Sequence, residues 1–145
     1  MACPFFMPTR KSEAALWPHP SRLPLGAGWE GRCFAPGHEG DEPNPEELRE
    51  GCNLGYAVSC SKFPQERSCD AVRFGVSRDT GTRVHLAYVC EAKHLPVEHG
   101  SLEYDALLTT WTTPHPDARI QTMAECYLES CRKRQNPTSS TTDER

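Results

Sequence analysis

Eight cysteines in a chain with few large aliphatic side chains constrain the fold more than any other feature. Leu, Ile, Val and Phe together supply 23 of the 145 residues, below the share at which an ordinary apolar core closes easily. A disordered chain pairs that deficit with high net charge. Here the net charge is only −4, so cross-links or a bound metal are expected to replace the missing burial.

Compartment decides between those two. MACPFFMPTR lacks the basic and apolar regions of a secretory signal, and no apolar run approaches the length of a membrane span. The expected setting is the cytoplasm, where thiols stay reduced and metal binding or plain burial is favoured over disulfides.

The densest thiol region is Gly51–Phe74, with Cys52, Cys60 and Cys69 separated by Gly55 and Pro64. Ahead of it, residues 1–43 carry seven of the 13 prolines. They also carry Phe5, Phe6, Trp17, Trp29 and Phe34, too many aromatics for a free arm, so this segment is expected to pack down with Cys3 and Cys33 as anchors. Ser12 could cap a short helix ending before Pro18, with an extended stretch after it. Asn44-Pro45-Glu46-Glu47 reads as a helix start, with Gly51 as its left-handed end and Cys52 just beyond.

Period-two runs follow. Val72, Phe74 and Val76, then Val84, Leu86, Tyr88 and Cys90, flank an Asp79-Thr80-Gly81 turn and predict an antiparallel hairpin. A third strand is expected near Ser101–Tyr104, after a KHLPVEHG loop. From Pro116-Asp117 a helix should run over Ala118–Arg134, with Ile120, Met123, Ala124, Tyr127, Leu128 and Cys131 on one stripe. The fold class expected is therefore α+β: a small antiparallel sheet of two or three strands covered by the C-terminal helix. An irregular, Pro- and Cys-rich half (1–70) organised by a metal centre precedes it. Residues 1–134 form one domain, and 135–145 a disordered tail.

Parity sorts the thiols. Cys90 and Cys131 share the apolar strand and helix faces and read as buried, inert thiols. Cys126 falls off the stripe, towards solvent. Cys3, Cys33, Cys52 and Cys60 remain, in irregular or helix-end positions, with Cys69 in reserve; four is the number a tetrahedral thiolate site requires. No C-x₂₋₄-C knuckle typical of structural zinc occurs among them. Iron–sulfur ligation tolerates wider spacing and often has proline after a ligand, as in Cys3-Pro4. The cofactor expected is a [4Fe–4S] cluster, with zinc as the alternative.

Function follows as electron transfer or structure with an unidentified protein or redox partner, or else a zinc-stabilised interaction module. A further alternative is an enzyme using His94, His99 and His115. Those histidines match no hydrolase spacing and read as solvated loop residues. An acidic chain whose one basic cluster, Arg132-Lys133-Arg134, suits a helix C-terminus gives no reason to expect nucleic acid.

Overall fold

The structure is a computed structural model describing residues 2–12, 23–54 and 60–135. The expected tail lies outside these residues except for Gln135, which belongs to the last helix, and so does nearly all of the short helix expected from Ser12. Two antiparallel sheets account for most of the regular structure.

The first sheet corrects the irregular N-terminal half expected from its prolines. β1 (Phe6–Lys11) pairs with β2 (Trp29–Cys33), placing Phe6 opposite Cys33 and Lys11 opposite Trp29. The ladder slips between Pro8 and Arg10, where proline supplies no N–H donor. The strands approach so closely that a Cβ on Gly31 would stand 2.1 Å from the Met7 carbonyl oxygen. Only glycine fits there. The Ser12 N–H donates to the Gly28 carbonyl and prolongs the pairing.

A four-stranded meander replaces the two or three strands expected: β3 (Ala71–Asp79), β4 (Arg83–Ala92), β5 (Leu95–Asp105) and β6 (Thr110–Thr113), in that order. β3 and β4 lie where the period-two runs place them, with Gly81 at φ +90° in the turn. The Asp79 carboxylate accepts the Gly81 N–H at 2.9 Å.

KHLPVEHG is not a loop. Lys93 and His94 make a two-residue turn with both φ angles positive, the geometry usually given to Asn-Gly. The Asp70 carboxylate holds that turn by accepting the Lys93 N–H at 2.8 Å. β5 begins at once, and its Pro96 sits where β6 does not reach, so no ladder bond is lost on that side. At the other end Asp105 accepts the Leu107 and Leu108 N–H groups at 2.9 and 3.1 Å and turns the chain into β6.

Between the sheets runs α1 (Glu47–Asn53), wound as a π-helix. Asn44 and Glu47 exchange side-chain-to-backbone bonds at 2.8 and 3.0 Å at its front, a capping box. Gly51 does not end it. The wider winding carries the helix past Gly51 to Asn53, so Cys52 lies within the helix and not after it.

α2 (Ala118–Gln135) starts where Asp117 accepts the Arg119 N–H at 2.9 Å. It lies against both β1 and β3, and Tyr127 stacks on Phe74 with ring centroids 5.9 Å apart. Phe6, Leu25, Val72, Leu86 and Met123 are all nearly inaccessible and belong to one core. The N-terminal half is thus fastened by a sheet and by apolar burial. No helix among the described residues is long and apolar enough to cross a membrane.

Candidate functional site

Each of the four expected ligand cysteines is delivered by a different piece of backbone. Ala2 bridges to Val72 through two hydrogen bonds of 2.6 and 2.8 Å, pinning the N-terminal segment to the free edge of β3. That places Cys3, whose N–H reaches the Cys52 carbonyl at 3.3 Å. Cys33 ends β2 and is tied to the following loop by its N–H to Asp41 and by its carbonyl to Gly40, both at 2.8 Å. Cys52 rides on α1. Cys60 opens a turn closed by the Phe63 N–H at 3.0 Å.

Cys3, Cys33, Cys52 and Cys60 line one apolar cavity of about 20 Å³, with phenylalanines packed around it and Gly51 at its wall. Two of the sulfurs receive backbone donors from the residue two positions on. The Ala35 N–H meets Cys33 Sγ at 3.4 Å, and the Phe5 N–H meets the Cys3 sulfur. Such bonds stabilise negative charge on sulfur.

The electrostatics bind the four together. Burial pushes the Cys3 thiol up to about 12 against the pull of the Phe5 N–H, and Cys33, Cys60 and Cys69 push it further. Burial also raises Cys52, reinforced by Cys3, Cys33, Cys60 and Glu47. As thiols these groups are comfortable in an apolar cavity; as thiolates they repel one another unless a cation is shared. Among the described residues, no three His, Cys, Asp or Glu side chains stand close enough to hold a metal ion.

The reserve, Cys69, is buried but lies outside that cavity. It faces a second, larger space of about 450 Å³ together with Cys90, Glu98, His115 and Arg119. Phe5 lines both cavities and forms part of the wall between them. The nearby Cys90 thiol holds Cys69 below the ordinary thiol range against the effect of burial, and Cys69 together with burial pushes Cys90 up. Strand parity would turn Cys69 away from the core if the strand ran back to it; the strand starts at Ala71, and Cys69 is 6% exposed, with the Asp70 N–H beside it bonded to Glu91 at 2.6 Å.

Cys126 is buried too, contrary to its off-stripe position. α2 packs against two strands in different sheets, so its buried arc is wider than one stripe. Cys90 and Cys131 are buried as their parity and stripe positions require.

His94 and His99 are exposed, but His115 is buried, which the loop reading missed. Its Nδ1 accepts the Asp117 N–H at 2.9 Å, leaving Nε2–H to donate to Glu98 at 3.2 Å. The Tyr88 hydroxyl donates to the same carboxylate oxygen at 2.9 Å, and the Tyr88 ring meets His115 edge-on at 4.7 Å. Gly100, across the ladder from Tyr88, is what makes room: a Cβ there would come within 2.8 Å of the ring. A lone glycine in a strand was the available signal for this close approach.

No protein-family model, curated protein or solved structure matches the chain.

Proposed function

We propose that Cys3, Cys33, Cys52 and Cys60 hold a [4Fe–4S] cluster, and that the protein serves as a small electron-transfer or structural metal-centre protein. Its setting is the cytoplasm and its counterpart is a protein redox partner. The observation that carries this reading is the meeting of four thiols, drawn from four separate segments, at one apolar cavity. The amide donors aimed at Cys3 and Cys33 support it, because cluster potentials are tuned by hydrogen bonds to sulfur. A cluster is bulkier than the cavity, so this reading entails that the thiols spread when it enters.

Zinc is the second reading, and the small cavity favours it. A single ion needs only that the thiols draw in to Zn–S distances of about 2.3 Å. Protein purified without oxygen and analysed for iron, acid-labile sulfide and zinc decides between them. Brown protein with about four iron and four sulfide per chain supports the cluster. Colourless protein with about one zinc supports the alternative. Absence of all three metal-centre components defeats both.

A further inference from the structure

We propose that the cavity beside Glu98 binds a small primary amine, whose ammonium group is held by the Glu98 carboxylate. At about 450 Å³ the space lies in the range of small-ligand sites. It shares Phe5 with the four-thiol cavity but none of that cavity's cysteines.

The carboxylate is held in place from two sides. Glu98 Oε2 accepts His115 Nε2–H at 3.2 Å and the Tyr88 hydroxyl at 2.9 Å. His115 is itself fixed, because its Nδ1 accepts the Asp117 N–H and its side chain is only 5% exposed. The Tyr88 ring lies against Gly100, where any Cβ would intrude. Neither bond to Glu98 uses Oε1, and the side chain remains 53% exposed at the cavity mouth. Among the described residues, no lysine or arginine pairs with this carboxylate.

Charge selects the ligand class. An Nδ1 that accepts a hydrogen bond leaves His115 a neutral imidazole. The Arg119 guanidinium, on the same wall, pairs with Asp117 at 3.4 Å and donates to the Phe34 carbonyl at 3.5 Å. Asp117 also accepts the Arg119 N–H, so the start of α2 is already capped and does not call for an anion. Glu98 is left as the uncompensated charge, and a carboxylate so placed favours a cationic hydrogen-bond donor.

Head-group geometry narrows the class. A guanidinium binds best when both carboxylate oxygens are open to it, and here Oε2 already carries two donors. An ammonium is a compact point charge and needs only Oε1. Val97 and Ile120, on the walls, suit a short apolar stem behind it.

The isotope-labelled full chain is titrated near neutral pH with isoamylamine, isoamyl alcohol and isovalerate, which share one branched stem and differ in head group, while NMR shifts are followed. Saturable shifts at Val97, His115 and Ile120 are expected with the amine, which should bind about tenfold or more tighter than the alcohol, the weight of one charge-assisted hydrogen bond. Glu98→Gln keeps an acceptor for His115 and Tyr88 but removes the charge, and should bring the amine down to the level of the alcohol. If that variant does not fold, the wild-type comparison and shift map still decide. Equal binding of amine and alcohol, or amine shifts confined to other parts of the chain, overturns the proposal. So does isovalerate binding as tightly as the amine, which would make Arg119 the recognition group, or a Glu98→Gln variant that keeps the preference for the amine.

Discussion

Asn53 and Trp29 exchange hydrogen bonds in both directions: Asn53 Oδ1 accepts the Trp29 N–H at 2.9 Å, and Asn53 Nδ2 donates to the Trp29 carbonyl at 3.0 Å. The same Nδ2 also donates to Leu48 at 2.8 Å, and the side chain is fully buried. One asparagine thereby ties the helix that carries Cys52 to the strand that carries Cys33.

Replacing Asn53 with Ala leaves the Trp29 N–H and carbonyl and the Leu48 carbonyl without these partners. Each buried group so stranded costs about 1–3 kcal/mol, so Asn53→Ala should destabilise by roughly 2–5 kcal/mol in denaturant unfolding. It should also loosen Cys52 against Cys33, seen as faster thiol labelling of both. A loss below about 0.5 kcal/mol would mean that these bonds are not formed in solution.

Gly31→Ala tests the close approach of β1 and β2. Its Cβ collides with backbone, which cannot swing aside as a side chain can. Overpacking of this kind costs about 1–3 kcal/mol or more. Limited proteolysis should cut the N-terminal 33 residues of the variant well before those of the wild type. An unchanged digestion pattern would contradict the pairing.

Leu128 is buried on α2. Leu128→Ala should cost about 2–5 kcal/mol, the usual loss for truncating a core leucine. A much smaller loss in thermal or denaturant unfolding would mean that α2 is not docked on β1 and β3.

Asp70 gives a pH signature. The Lys93 N–H, opposed by burial and joined by Arg67, holds its carboxyl below the usual carboxylate range. A carboxyl whose folded pKa is depressed contributes stability above its unfolded value, near 3.9, and loses it as pH falls through the folded one. Unfolding free energy measured from about pH 5 down to pH 2 should therefore fall more steeply for the wild type than for Asp70→Asn. Parallel curves would contradict the role given to Asp70.

Local signals carried the parts of the fold that are local. Alternation in Val72–Val76 and Val84–Cys90 marks β3 and β4, and Asn44 with Glu47 marks the start of α1. Partners distant in sequence left weaker traces. Trp29 and Lys11 are 18 residues apart, and the two strands they belong to carry Pro8 and Gly31, residue types depleted in strands. The Lys93-His94 turn was invisible because Asp70, from another segment, holds it instead of a glycine. β6 is a four-residue strand without alternation toward the core. The four thiols of the candidate centre were singled out because they lie outside the long strands and the last helix. Cys69 and Cys126 went astray because their burial depends on packing across elements that no local pattern records.

Metal content across single Cys→Ser variants tests the central claim most directly. Wild type, Cys3→Ser, Cys33→Ser, Cys52→Ser and Cys60→Ser are purified without oxygen beside Cys131→Ser, and iron, sulfide and zinc are measured per chain. The account predicts metal in the wild type and in Cys131→Ser, and its loss from each of the other four. Wild-type protein without metal, or metal retained after loss of any one of those four thiols, would contradict the four-thiolate centre.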